Sequence, residues 1–218
     1  EQSYILLALI SDWRYFGNEA SLTAAKKLGD YLATRISRQE LELLGRDHSV
    51  TLSTIGLDRA MLALHSATQD SRYLDFVTQV QDLPVWDLPI VEGRHGKIEG
   101  HAYAYFTKCL AQLELHESTG DDNLLSQPRR ALDYLQKQSG LVITGTCSQS
   151  ECWHSDQRGG GDLGETCATG YLIRLLSKLL QLEGDGPYGD LMERAIYNAL
   201  FGAQSPEGRR LRYYVPFE

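Results

Sequence analysis

The chain has 218 residues, of which 42% are hydrophobic and 23% are charged, as in an ordinary globular protein. Its formal net charge is −8, and the basic residues are scattered apart from Arg209, Arg210 and Arg212. We therefore expect neither nucleic acid nor a membrane surface as a partner, because phosphate groups bind clustered Lys and Arg. No apolar run reaches the roughly 20 residues of a bilayer span. The sequence leaves the compartment and the oligomeric state open.

Apolar residues spaced three and four positions apart predict helices along most of the chain. One face of the second helix, for example, carries Leu22, Ala25 and Leu28. Polar turn residues end the helices, and Gly17-Asn18 is the first of these stop signals. The predicted helices cover residues 3–16, 20–36, 56–67, a stretch opening at 73, 100–117, a stretch reaching 138, 165–182 and 190–203.

The turns near residues 18, 70, 121 and 185 resemble one another and indicate an internal repeat of about 50 to 60 residues. Each unit is a helical hairpin that must stack on its neighbours to bury its apolar stripe. Long polar loops at 37–50, 81–98 and 144–164 favour a toroid over a solenoid. The predicted fold is all-α, an (α/α)6-barrel-like toroid that is incomplete in this chain. A closed ring of six hairpins needs about 300 residues, so we expect residues 1–218 to form one partial domain of a larger protein.

Two stretches have the character of β-strands, residues 141–144 and 211–215. The first leads directly into a polar, glycine-rich loop that runs from Thr144 to Cys167. A long polar loop inside a helical scaffold is more often functional than a plain connection. We therefore expect this loop to carry the chemistry and the helices to hold it in place.

Glu165 and Cys167 are two positions apart, a spacing that points side chains to different faces of a regular helix. They can share a metal ion only if Glu165 lies at the helix start, where the backbone angles differ, and residues 162–164 fit such a start. Carboxylate and thiolate together suit Zn²⁺. Glu151, upstream in the same loop, is the candidate general acid/base.

A second arrangement uses the other metal-binding side chains of the loop. Cys147, Cys152, His154 and Cys167 have the residue types of a closed structural zinc site, although their spacing is unfamiliar. One alternative function is therefore a non-enzymatic helical-repeat module whose zinc loop binds a partner. Another is an α/α-toroid carbohydrate enzyme that uses paired carboxylates without a metal.

Two motifs carry a family resemblance. Glu-Thr-Cys at 165–167 and Met-Glu-Arg-Ala-Ile-Tyr-Asn at 192–198 resemble glycoside hydrolase family 127, the β-L-arabinofuranosidases and their relatives. The resemblance is strong after residue 140 and weak before residue 95. It implies an (α/α)6-barrel catalytic domain and a retaining glycosidase that removes a terminal L-arabinofuranose-like sugar from plant-type glycans.

The resemblance also implies roles for individual residues. The family's zinc is held by one Glu and three Cys, and Glu165 and Cys167 match the first two of these ligands. Glu151 matches the general acid/base. His101 falls where the family places a sugar-binding histidine, and His95 competes for that role. Trp153 is a further candidate for orienting the carbohydrate substrate.

The chain departs from the family pattern in one respect. The family's nucleophile and remaining zinc ligand are an adjacent Cys-Cys pair a little beyond the point where this chain ends, Glu218. We therefore expect this fragment alone to be inactive and to bind zinc weakly or not at all. Cys147 and Cys152 are additional to the family pattern, which suggests a relative acting on another pectic sugar.

Overall fold

A computed structural model describes residues 2–37, 54–156 and 161–216. The predicted loop at 37–50 lies almost wholly outside the described residues. The α-helices are α1 (Gln2–Phe16), α2 (Glu19–Arg35), α3 (Leu57–Thr68), α4 (Ser71–Asp75), α5 (Ala102–Thr119), α6 (Ser126–Lys137), α7 (Thr166–Glu183) and α8 (Gly186–Arg194). Wider π-helical turns extend α4 over Phe76–Val80 and α8 over Ala195–Leu200, and short 3₁₀ turns cover Leu83–Val85 and Asp122–Leu125.

The helices form two layers. Helices α1, α3, α5 and α7 pack on one another in chain order, and each also packs on the helix that follows it: α2, α4, α6 or α8. Each hairpin thus contributes one inner and one outer helix, as in an α/α toroid. The predicted all-α fold is confirmed, and the helix bounds agree with the sequence pattern to within a few residues.

The same hydrogen-bonded turn closes two of the hairpins. In the first, the His65 ring contacts the Asp70 carbonyl at 2.9 Å, Thr68 donates to the carbonyl of the preceding turn, and Asp70 accepts from the Arg72 N–H. The aspartate is therefore the N-cap of the next helix. Between Thr68 and Asp70, Gln69 has a left-handed backbone with φ 59°. The same contacts recur at His116, Thr119, Gly120 and Asp121.

The core has two parts. One lies among α1, α2, α3 and α4 and includes fully buried Leu6, Met61 and Tyr73. The other lies among α5, α6 and α7 and includes Phe106 and Trp153. Because Trp153 belongs to the 144–167 loop, this second cluster fixes the loop against the helices.

Neither strand-like stretch forms a regular strand in the described parts of the chain. Each instead makes isolated backbone bridges, Leu141 with Cys147, Leu211 with Gln204, and Tyr214 with Glu165. The last bridge brings the 211–215 stretch beside the start of α7. Among the described helices, none combines the length and the apolarity required to traverse a bilayer.

Candidate active site

A tight backbone turn presents Glu151. Gln149 and Cys152 exchange backbone hydrogen bonds of 3.0 and 2.9 Å across it. Ser150 and Glu151 have positive φ angles of 46° and 68°, a conformation that costs free energy for residues other than glycine and clusters at functional sites. The Glu151 carbonyl accepts from the N–H of Ala102 at 3.1 Å, so the turn is fixed to the start of α5.

Glu165 lies at the N-cap of α7, with an extended backbone of φ −68° and ψ 126°. Gly164, with φ 75°, makes the bend before it, and a Cβ there would approach the Val215 carbonyl to 3.0 Å. The N–H of Thr166 donates to the Tyr213 carbonyl at 2.7 Å. The extended N-cap is the geometry that allows Glu165 and Cys167 to turn toward each other, as the sequence argument required.

The Tyr213 hydroxyl joins the two glutamates. Its oxygen lies 2.7 Å from Glu151 Oε1 and 2.8 Å from Glu165 Oε1. Cys167 Sγ contacts Glu165 Oε1 directly and lies 3.7 Å from the Tyr213 oxygen. Since the hydroxyl has one proton, it donates to one carboxylate at a time. The two acids and the sulfur therefore converge on a single phenol, which the sequence did not single out.

Burial governs the electrostatics on the Cys167 side. The Glu165 side chain is 0% exposed and accepts a hydrogen bond of 3.0 Å from Ser148 Oγ. Burial, followed by the negative charge of Glu165, raises the pKa of the Cys167 thiol well above its ordinary value. Burial and the neighbouring carboxylates likewise raise the pKa of Tyr213. The raised pKa favours the thiol form of Cys167 beside the buried Glu165 carboxyl group.

Two histidines flank the other oxygen of Glu151. His95 Nε2 and His101 Nε2 each lie 3.5 Å from Glu151 Oε2. The His101 side chain is 5% exposed and that of His95 is 53% exposed. Burial lowers the pKa of His101, so its ring favours the neutral form. The structure thus brings both histidine candidates to the acid/base candidate.

Trp153 lines a cleft next to the turn that presents Glu151, but its ring is buried in the core. It is 1% exposed, and its ring packs edge-on against Tyr105, Phe106 and Tyr134 at centroid distances of 5.5, 5.0 and 5.4 Å. Because no face of this ring is exposed, the structure does not support the prediction that Trp153 orients a sugar. The tryptophan instead anchors the loop that carries Glu151.

The metal-binding candidates separate into two groups. Glu165 and Cys167 place a carboxylate oxygen and a sulfur together, and both are zinc donors. Within the described residues, no Lys or Arg forms a salt bridge with Glu165. No basic side chain therefore neutralises its buried carboxylate, and a metal cation could do so. These donor types fit zinc, but a catalytic zinc uses three protein ligands, and no cluster of three His, Cys, Asp or Glu suited to a metal occurs in the described ranges.

The donors of the alternative structural zinc site are not grouped together in the part of the chain that the structure describes. Cys147 is fully buried in the core between α5, α6 and α7. Cys152 pairs through its backbone with His101 and Gln149. These cysteines and His154 do not assemble with Cys167 into a metal cluster.

Comparisons with known proteins agree on the family. A non-reducing end β-L-arabinofuranosidase from Bifidobacterium longum is 22% identical over 233 aligned positions, which cover 91% of this chain and 34% of that protein. A solved GH127 β-arabinofuranosidase superposes with a TM-score of 0.75 at 20% identity, over 99% of this chain and 35% of its own. A GH127 β-L-arabinofuranosidase from Geobacillus stearothermophilus T6 superposes with a TM-score of 0.73 at 22% identity, over 100% of this chain and 38% of its own.

These solved structures share the fold, and the chain spans about a third of the length of the curated relative. The family model of the β-L-arabinofuranosidase GH127 catalytic domain matches residues 3–218, nearly the whole chain. The chain belongs to the GH127 β-L-arabinofuranosidase catalytic-domain family.

Proposed function

We propose that the protein carrying this chain is a retaining glycoside hydrolase that removes a terminal L-arabinofuranose-type residue from plant-type glycans. The observation that carries this proposal is the convergence of Glu151, Glu165 and Cys167 on the Tyr213 hydroxyl. A proton donor beside a buried carboxylate and sulfur is an arrangement that serves cleavage of a glycosidic bond. Family membership supports the same reaction class.

In this proposal Glu151 is the general acid and then the general base. Its carboxyl group protonates the glycosidic oxygen while a nucleophile forms a bond to the anomeric carbon, and the electron pair of the breaking C–O bond stays on the departing oxygen. In the second half-reaction Glu151 takes a proton from water, which displaces the nucleophile and gives net retention. Tyr213 holds one carboxylate oxygen, and His95 and His101 flank the other.

Glu165 and Cys167 would hold a zinc ion together with ligands contributed from outside residues 1–218. Bound zinc supplies charge that keeps a cysteine ligand in its thiolate form and therefore nucleophilic. Ser148 orients the Glu165 carboxylate. The nucleophilic cysteine that the family resemblance implies would also come from outside residues 1–218.

Substrate contacts in this proposal come from the histidines. His101 is buried at the start of α5 with Nε2 toward Glu151, so it suits a hydrogen bond to a sugar hydroxyl close to the reacting bond. His95 lies beside the same carboxylate oxygen, and about half of its side chain is exposed to solvent. We assign Trp153 no direct contact, because its ring is enclosed by other aromatic residues.

The test uses the full-length protein and 4-nitrophenyl β-L-arabinofuranoside. We expect hydrolysis by the parent protein and a loss of about 100-fold or more in kcat for Glu151→Gln, because the water that completes turnover still needs the general base. Glu193→Gln, a matched change at an exposed carboxylate on α8, should retain full activity. An inactive parent protein, or a Glu151→Gln variant that works normally, would overturn the proposal.

A further inference from the structure

A cavity lies against the Glu151 turn. It is a cleft of about 450 Å³ whose walls include Glu92, His95, Ser150, Cys152 and His154. This volume falls in the range of small-ligand sites, about 300–1,000 Å³. Ser150 and Cys152 are the neighbours of Glu151 in the chain, so the cleft shares the turn that presents the acid/base candidate.

The position of the cleft follows from the two oxygens of Glu151. Oε1 faces Tyr213, on the side of Glu165 and Cys167. Oε2 faces His95, which also lines the cleft. One oxygen of the carboxyl group thus contacts the corner with the metal-binding candidates, and the other contacts a residue that lines the cleft. In a retaining glycosidase the leaving group departs on the side of the acid, opposite the nucleophile.

His154, which lines the cleft, has a buried hydrogen-bond acceptor without a partner. The residue is 8% exposed, and its Nδ1 lies 2.6 Å from the Asp156 carbonyl. A carbonyl only accepts, so Nδ1 carries the proton and the neutral ring has its lone pair on Nε2. That Nε2 is buried and has no hydrogen-bond partner. Burial lowers the pKa of His154, which favours this neutral form.

One wall of the cleft is held in place by its own contacts. Glu92 accepts hydrogen bonds from Tyr134 Oη at 2.8 Å and from Ser155 Oγ at 3.0 Å. Tyr134 belongs to the core around Trp153. Glu92 is thus connected through Tyr134 to the hydrophobic core, which fixes this wall of the cleft.

We propose that this cleft binds the leaving-group sugar, with one of its hydroxyl groups donating a hydrogen bond to His154 Nε2. The proposal rests on the proposed glycosidase function and specifies its leaving group: a hydroxyl-bearing sugar residue rather than an aryl or alkyl group. A buried acceptor selects strongly for a ligand that can donate to it, because a ligand without a donor leaves that acceptor unpaired.

The experiment compares two substrates of the full-length protein. One is a disaccharide of β-L-arabinofuranose linked to a second arabinose, and the other is methyl β-L-arabinofuranoside, whose leaving group cannot reach the cleft. We expect His154→Phe to lower kcat/KM for the disaccharide about tenfold more than for the methyl glycoside, mainly through KM. His154→Gln, which keeps an acceptor, should restore part of that selectivity.

His65→Phe is the matched control, because it changes a histidine in a distant hairpin turn and should leave the ratio of the two substrates unchanged. If His154→Phe leaves the ratio unchanged, or lowers both substrates equally, the histidine serves folding or holds only water and the inference is overturned. If the parent protein hydrolyses neither substrate, the proposed function itself fails. If the parent protein hydrolyses the methyl glycoside but His154→Phe leaves the ratio of the two substrates unchanged, the cleft assignment fails while the proposed function stands.

Discussion

Replacing Trp153 tests whether this residue anchors the site loop or contacts substrate. The indole is 1% exposed and makes three edge-on aromatic contacts at 5.0–5.5 Å. Its Nε1 has no hydrogen-bond partner, so the loss on substitution comes from packing. Truncation of a buried Trp to Ala costs about 3–5 kcal/mol, and each aromatic pair contributes about 0.5–1.5 kcal/mol of such a total.

We therefore expect Trp153→Ala to lower the free energy of unfolding by about 3–5 kcal/mol and Trp153→Phe by about 1–2 kcal/mol, as for a partial loss of core volume. The assay is urea unfolding followed by far-ultraviolet circular dichroism, with KM measured on the same preparations. Trp153→Phe should leave KM close to that of the parent protein. A Trp153→Ala variant that unfolds like the parent but binds substrate poorly would refute the packing role.

Three further predictions concern the turns, the pH dependence and the metal. Gln69→Gly should raise the free energy of unfolding by about 1 kcal/mol, and Gly120→Ala should lower it by a similar amount, because both positions are left-handed; changes of the same sign would contradict this. Burial holds the pKa of His154 below its ordinary 6.5, so stability present above pH 6.5 should fall as the pH drops from 6.5 toward the folded-state pKa. Urea midpoints should show this fall in the parent and a smaller one in His154→Gln. Calorimetric titration of the 218-residue chain should give no tight zinc binding, because Glu165 and Cys167 are only two ligands; tight one-to-one binding lost in Glu165→Ala would refute it.

The sequence predicted the fold well because helix ends carry local signals. Asn18, Asp70 and Asp121 are N-caps that accept from a backbone N–H two residues on, and Gly120 has the left-handed geometry of a helix end. These features depend on a few neighbouring residues. The repeat of the turn along the chain then identified helical hairpins, and the need to bury their apolar faces predicted that the hairpins stack on one another.

The site was only partly accessible to the same reasoning. The proximity of Glu165 and Cys167 followed from the N-cap geometry, which is local. Tyr213 could not be found that way, because the Glu165–Tyr214 bridge that brings it to the glutamates joins distant parts of the chain. The burial of Trp153 also depends on distant contacts, with aromatic residues of α5 and α6, which its neighbours in the sequence do not reveal.

The role of Glu151 as proton donor is the central claim, and leaving-group dependence tests it most directly. The measurement is the rate of the full-length Glu151→Gln variant on methyl and 2,4-dinitrophenyl β-L-arabinofuranosides. Dinitrophenolate departs without protonation, so the account predicts a loss of about 100-fold or more for the methyl glycoside and a much smaller loss for the first glycosylation step of the dinitrophenyl glycoside. Equal losses for the two substrates in that step, or no loss for either, would contradict it.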